Sequence, residues 1–436
     1  MSLRRVLKTS DAAWLVAGNM IGAGIFFTPA AVGQHLPGVV WPLVAWTLGG
    51  VLALAGAAVY GELGARLPRA GGDYQYLTSA FGPVWGFLTG WAAFVLSFSA
   101  AAAAMARISV GYLAGAIPLL DVDPQTLSRI VAPVLLLLLT LLNVAGAKVG
   151  GRTTTVLTAI PLATLVGLFC YGLLVGGARF DWPARPLAGP EGPWVLALGA
   201  AMVPVFFTYS GWNAAAYLAG ELKHPERTLP RALLIGTSAV TALYLAVNLA
   251  LLALLGDDLA ASGTPAADAA QRLLGVGAER LLSLIIAVAI LGSANVTLMA
   301  GARIYYAMAG DRLAPRPLAR TNRRGVPSTA LWSGGIWAAL LAASVPVEQT
   351  LYQWATLAIL LLSSLTVVAL FVLRRRDPAF RSFLCPGYPI TPWIYLLTSL
   401  AVAVSSALYD PQGSLWGVLL VATGFVVYAA WRRATR

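Results

Sequence analysis

The chain has 436 residues, of which 59% are hydrophobic and only 11% charged, with a mean hydropathy of +0.78. A soluble domain carries about 25% charged residues, so this composition excludes a soluble globular protein, a disordered chain and a collagen-like repeat. The net charge of +12, from 29 Lys+Arg against 17 Asp+Glu, would point to nucleic acid in a soluble protein, but in a membrane protein it fits basic cytoplasmic loops.

A helix that crosses the bilayer needs about 20 mostly apolar residues. Stretches free of Asp, Glu, Lys and Arg mark such helices in chain order. Residues 12–61 hold two, turned by LPGVVWP at 36–42. The others are 74–106, 130–147, 153–178, 192–220, 232–256, 281–302, 325–347, 349–373, 382–409 and 411–431. The expectation is an all-α membrane protein with twelve spans. An even count puts both termini on one side. With the N-terminus inside, 23 basic residues fall on cytoplasmic segments, while five (Arg129, Arg179, Arg185, Arg272 and Arg280) fall outside and Arg107 lies within a span. This asymmetry follows the positive-inside rule and predicts cytoplasmic termini. It also accounts for the net charge without nucleic acid. The compact, Arg/Ala/Gly/Leu-rich chain with minimal loops suggests the plasma (inner) membrane of a prokaryote. The basic start at Arg4, Arg5 and Lys8 resembles a signal peptide, but Gly18, Asn19, Gly22 and Gly24 interrupt the apolar run and a second span follows at once. The segment 256–280, with Asp257, Asp258, Pro265 and Asp268, is expected to cap the outer face.

Backbone polar groups in lipid must be paired within the protein, so a spanning helix should be unbroken. Two spans resist this. Span one reads Gly18-Asn19-Met20-Ile21-Gly22-Ala23-Gly24-Ile25-Phe26-Phe27-Thr28-Pro29. About ten residues lie on either side of its GAG, roughly 15 Å or half the bilayer core, which puts the glycines near the midplane. Span six reads Pro204-Val205-Phe206-Phe207-Thr208-Tyr209-Ser210-Gly211-Trp212-Asn213. The offset of five between the two breaks predicts an inverted repeat, with spans 1–5 set against 6–10 and two spans appended. Paired Gly-interrupted segments in two halves are a pointer to a transporter binding site. The N–H groups of Gly22, Ala23, Gly24 and Ile25 suit a carboxylate, and the carbonyls near Ile21, Phe207 and Thr208 suit an ammonium group. An α-amino acid zwitterion carries both. The bland alternative for GAG is a close helix-packing site.

The remaining residues are read in the same way. Asn213 is uncharged, and no Asp, Glu, Lys or Arg lies near either break in the sequence, so a neutral substrate side chain is the simplest match. Arg107 either snorkels to the outer interface or bonds a neighbouring helix; a pocket role is the alternative. Glu62 and Glu221 close spans two and six near Arg66, Lys223 and Arg227, either as inner-gate ion pairs or as solvated helix-end charges. Trp14, Trp46, Trp91, Trp194 and Trp332 read as interface anchors or packing. The two cysteines, Cys170 and Cys385, read as packed free thiols. With His35 and His224, they are too few for a disulfide framework or a Cys/His metal site, so no metal and no cofactor are expected. No P-loop motif occurs, so nothing supports ATP-driven transport.

With these strings in view, the chain resembles the amino acid–polyamine–organocation (APC) superfamily, in particular the L-type amino acid transporter-like permeases. The resemblance rests on GNMIGAGIFFTP, YGELGARLPRAGGDYQYLTSAFGPVWGFLTGW at 60–91, FFTYSGWNAAAYLAGELKHPERTLPRAL at 206–233, GARIYYAMAGDRLAP at 301–315 and PGYPITP before span eleven. It implies a LeuT-like 5+5 inverted-repeat core with discontinuous helices 1 and 6 plus two C-terminal helices. The first repeat is then about 12–178, the second about 192–373, and helices 11–12 about 382–432. It implies alternating access in a permease or antiporter, with an aromatic gate at Phe207 and substrate contacts at Thr208, Ser210 and Asn213. Arginine/agmatine exchangers carry Glu at the Asn213 position. It also implies that Ser293 and Asn295 look toward span one. In one departure, Pro161 stands where many relatives have a span-five lysine, which argues against proton coupling through that position and for antiport or facilitated diffusion. The expected partners are a small amino acid substrate, membrane lipids, and a proton or an amino acid counter-substrate. A polyamine or organic-cation permease is the alternative within this fold and would need an acidic pocket residue. A non-transporting membrane sensor or subunit is the alternative outside transport.

Overall fold

The computed structural model describes residues 3–22, 24–117, 123–174, 194–275, 277–344, 348–409 and 411–435. Helices α1 (Thr9–Met20) and α2 (Gly24–His35) are bent by 47° across a short break. Glycine is a poor helix former, and Gly22 and Gly24 flank this break. After a turn at Gly38 comes α3 (Val40–Arg66).

The expected single span 74–106 is divided. Residues Asp73–Phe81 form a separate short helix, α4, and the span proper runs Pro83–Ala116 as α5 (Pro83–Ala92), a π-helical turn (Ala93–Ser97) and α6 (Ser99–Ala116). The divider is Gly82, at φ +96, followed by Pro83. Glycine takes the positive φ, and proline suits the first helical position because its missing N–H would have no partner there.

The chain continues through α7 (Pro124–Val144), α8 (Ala147–Leu174), α9 (Trp194–Thr208), α10 (Ala214–Tyr217) and α11 (Pro225–Leu255). Two short helices, α12 (Asp258–Ala261) and α13 (Pro265–Leu274), precede α14 (Ala278–Gly310), α15 (Ser328–Ser344), α16 (Glu348–Arg376), α17 (Ile390–Tyr409) and α18 (Pro411–Thr435). Among the described residues, seven helices are long and apolar enough to cross a membrane, or eight if the bent pair counts as one. Residues 196–208 and 390–405 form shorter apolar helices. The ends of the expected repeats at 175–178 and 192–193 lie outside the described residues.

Helices α3 and α11, α6 and α14, and α7 and α15 pack most extensively, followed by α6 with α7, α1 with α11 and α8 with α14; α2 also packs on α9. In lipid there is little hydrophobic drive between helices, so close packing of small residues holds them together. Ala100, Ala102, Ala103, Ala104 and Ala106 of α6 are buried in one cluster with Ala294 of α14 and Ala338 and Ala339 of α15. On α3, a Cβ at Gly49 would stand 2.4 Å from Val205 Cγ1, and one at Gly50 would stand 2.3 Å from Thr241 Cγ2. Helix α3 therefore approaches α9 and α11 at a distance only glycine permits. Trp46 is fully buried beside Tyr209 and Tyr244, so it is packing rather than an interface anchor.

The loop after α11 rests on the end of α2: Gln34 Nε2 donates to the carbonyl of Ala260 at 3.2 Å, and Gly33 faces Ala260. At the end carrying the basic loops, Leu7 pairs with Leu222 in a parallel bridge. Val6 and Leu7 donate their N–H groups to the Glu221 carbonyl, and Lys223 N–H donates to the Leu7 carbonyl. This ties the start of α1 to the segment after α10.

The solvated reading of Glu62 and Glu221 is overturned, since both are completely buried. Glu62 accepts from Arg66, from Arg374 and from the Cys385 N–H, so it joins α3, α16 and the linker before α17. Glu221 pairs with Arg303 of α14 through two hydrogen bonds, 2.6 and 3.2 Å long, rather than with Lys223 or Arg227. Arg107 is 1% exposed and lies 3.4 Å from Ser128 Oγ of α7; it bonds across helices and does not snorkel. Of the cysteines, Cys385 is buried as expected, whereas Cys170 is exposed on the surface of α8.

Candidate functional site

The two breaks meet. Span one is interrupted at residues 21–23 and span six at 209–213, between α9 and α10. Gly211 takes φ +97. A Cβ there would stand 2.6 Å from Asn19 Nδ2 and 2.7 Å from the Asn19 carbonyl oxygen. Only glycine can take that backbone angle and that approach together. Asn19 Nδ2 donates to the Gly211 carbonyl at 3.2 Å, a direct bond from one interrupted helix to the other. On the other side of the breaks, a Cβ at Gly24 would stand 2.6 Å from Thr208 Oγ1. Thr208 is 3% exposed; its hydroxyl bonds Thr28 Oγ1 at 2.8 Å and the Pro204 carbonyl at 2.9 Å.

The backbone groups at the break differ in part from the expectation. Gly22 N–H already donates to the Met20 carbonyl at 2.8 Å, and the Phe207 carbonyl accepts from Ser210 N–H at 2.9 Å. Because α2 begins at Gly24, the donors that a helix leaves without intrahelical partners are those of Gly24, Ile25 and the residue after it, Phe26. The helix dipole adds positive potential there. Ala23 lies outside the described residues. Ile25 is buried, and Phe207 and Ser210 are partly buried beside the break.

Opposite these donors, carbonyls converge. The Tyr244 hydroxyl, on α11, lies 2.6 Å from the Met20 carbonyl and 3.2 Å from the Thr208 carbonyl. A tyrosine hydroxyl has one proton to give, so it bridges the two breaks while leaving acceptor capacity on both. Sequence reasoning missed Tyr244; a polar tip inside an otherwise apolar span was the available signal.

Helix α14 contributes on one face only. Ser293 Oγ donates to the Asn19 carbonyl at 2.9 Å, and Thr297 Oγ1 bonds Asn19 Oδ1 at 3.1 Å. Ser293 is thus placed toward span one, as expected. Asn295 is not. It is fully buried, takes a hydrogen bond from Asn143 of α7 at 2.8 Å and donates to Thr154 and Gly150 of α8. The physical reason is the helical step: Ser293 and Thr297 are four residues apart and share a face, whereas two residues turn the side chain about 200° away. Span five meets span one at Gly18, where a Cβ would stand 2.5 Å from Thr158 Oγ1 and 2.7 Å from Thr154 Cγ2. Thr154 and Thr158 are therefore span-five side chains placed against span one, Thr158 three residues before Pro161.

One carboxylate lies closer to the breaks than the sequence indicated. Asn213 Nδ2 donates to the Tyr217 hydroxyl at 3.0 Å, and that hydroxyl donates to Asp73 Oδ2 at 2.5 Å. Asp73 sits 144 residues from Tyr217 in sequence, so no local pattern could show the contact.

Two interrupted helices thus meet side by side among apolar helices long enough to cross a membrane. The amino acid permease family model matches residues 7–431, and the chain belongs to that family, within the APC superfamily. It is similar to the serine/threonine exchanger SteT of Bacillus subtilis, at 30% identity over 99% of this chain and 98% of the relative. It is also similar to the mouse large neutral amino acids transporter small subunit 2 at 28% identity and the mouse Asc-type amino acid transporter 1 at 27%, each over 98% of this chain and 81% of the relative. The protein is thus a multi-pass membrane protein of amino acid transport.

Proposed function

We propose that the chain is a secondary transporter that exchanges or facilitates neutral L-amino acids across the plasma membrane by alternating access, independently of sodium. The observation that carries this reading is the meeting of the two breaks, through Asn19 with Gly211 and Gly24 with Thr208. The α-carboxylate lies on the N–H groups that open α2, around Gly24 and Ile25, with Gly22 giving the close approach. The α-ammonium lies toward the carbonyls of Ile21, Phe207 and Thr208. Ser210, Asn213 and Ser293 border the side chain, and Phe207 closes over it as a gate. Twelve spans with cytoplasmic termini, in two inverted halves plus two C-terminal helices, form the frame. The packing of α2 on α9, α3 on α11, α6 on α14 and α7 on α15 supports this, because each pair joins elements five spans apart. The absence of a charged side chain directly on either break among the described residues favours neutral substrates.

The test is radiolabelled uptake by proteoliposomes holding the purified chain, with each of the twenty L-amino acids, with and without the same amino acid preloaded inside. Saturable uptake of neutral amino acids, faster when preloaded, is expected. No saturable uptake of any amino acid under either condition contradicts the reading.

A further inference from the structure

Asp73 opens α4, in the segment between spans two and three, and is 6% exposed. Gly71 and Gly72, at φ +119 and +51, turn the chain just before it. A Cβ at Gly72 would stand 2.5 Å from Tyr217 Cδ1, and Gly71 N–H donates to the Tyr217 carbonyl at 3.0 Å. This glycine turn presses Tyr217 into place. Both oxygens of Asp73 are engaged by donors: Oδ2 by the Tyr217 hydroxyl at 2.5 Å and Oδ1 by Thr366 Oγ1 of α16 at 2.9 Å.

The direction of the chain of bonds follows from counting protons. An ionised carboxylate only accepts, and a tyrosine hydroxyl has a single proton. Tyr217 spends that proton on Asp73, so toward Asn213 its oxygen can only accept. Asn213 must then turn Nδ2 toward Tyr217, as it does at 3.0 Å, and must hold Oδ1 on the opposite side of the amide. A flip would set two acceptors face to face.

We infer that Asp73 is a positioning residue for substrate recognition: through Tyr217 it fixes the Asn213 amide so that the break in span six offers substrate a hydrogen-bond acceptor. This rests on the reading of Asn213 as part of an amino acid site. The substrate group that meets Oδ1 is a donor, either the α-ammonium or a side-chain hydroxyl.

An exchange of the two residues tests it. Exchange of L-serine and of L-alanine is measured in proteoliposomes with the full-length chain, wild type, Asn213→Asp, and the double variant Asp73→Asn with Asn213→Asp. In the single variant two carboxylates compete for one hydroxyl proton, and KM rises about thirtyfold. In the double variant the bonds run in reverse. The amide placed at 73 donates to Tyr217, Tyr217 donates to the carboxylate at 213, and an acceptor oxygen again faces the substrate, so KM falls about tenfold from that of Asn213→Asp, which sets the same charge on the break. Equal losses for serine and alanine assign the ammonium as the donor; a larger loss for serine assigns the hydroxyl. Monodispersity and melting temperature in detergent check folding. If the single variant does not fold, Tyr217→Phe is read instead and is expected to raise KM about tenfold without lowering the maximal rate in proportion. A double variant no better than Asn213→Asp, or an unchanged KM in Tyr217→Phe, overturns the inference while wild-type exchange still stands. A wild type that exchanges no amino acid overturns the functional reading itself.

Discussion

The end of the molecule that carries the basic loops and the two breaks use opposite chemistry. At the basic end, buried charges are paired side chain to side chain: Glu221 with Arg303, and Glu62 with Arg66 and Arg374. The Arg374 guanidinium also lies 3.7 Å from the centre of the Tyr388 ring. At the breaks the partners are peptide groups, hydroxyls and amides: Asn19, Gly211, Thr208, Tyr244 and Ser293. A buried ion pair is held hard because separating it strands a charge in a dry interior. A hydroxyl or carbonyl can change partner at a cost near 1 kcal/mol. The division places rigid joints where helices are anchored and exchangeable bonds at the proposed substrate site.

This contrast can be broken at several points. The largest effect is expected from Gly24→Leu or Gly211→Val, which drive side-chain atoms into Thr208 or Asn19. Transport per folded molecule should fall by more than about 100-fold; Gly211→Val, at a positive φ and against the Asn19 backbone, should also lower the melting temperature, so transport is normalised to monodisperse protein. Equal transport by either variant would mean that the breaks are not the site. At the basic end, Glu221→Ala strands Arg303 and should cost about 3–5 kcal/mol, seen as a lower melting temperature and poor yield. Replacing both partners with apolar residues of similar volume should cost much less, and a melting curve of the double variant checks this. A smaller effect is expected from Tyr244→Phe, which takes one donor from the Met20 and Thr208 carbonyls: about a tenfold rise in KM, with a small fall in melting temperature.

The smallest effect concerns Cys385, in the linker before α17. Burial, with the Glu62 carboxylate nearby, pushes its thiol up to about 12. A raised thiol pKa leaves less thiolate at every pH below it, so the thiol is held in its unreactive protonated form at pH 8. In a Cys170→Ala background, maleimide labelling at pH 8 should therefore be slow in the folded protein and fast after denaturation.

Much of this frame was legible because composition and punctuation are local. The GNMIGAG string marked the break at 21–23, and SGWN marked the one at 209–213. The Gly82-Pro83 stop was legible too, but a search for charge-free runs passed over it. Contacts between distant residues were not legible. The pairing of Glu221 with Arg303 and the approach of Asp73 to Tyr217 depend on how helices pack. The direction of Asn295 depends on the rotation of α14 about its axis, which a helix with apolar and small residues on every face does not reveal. Tyr244 bridges two carbonyls that exist as acceptors only because two helices are broken, so its role could not be read from its own neighbours in sequence.

The central claim is that peptide donors and acceptors at the two breaks bind both charges of a zwitterion. Competition for amino acid exchange in proteoliposomes tests it directly, using the best neutral substrate, its α-amide and its decarboxylated amine. Loss of either charge should weaken competition by at least about 100-fold, the worth of one charge-assisted contact set. An amine that competes as well as the amino acid would contradict the account and move the protein to organic-cation transport.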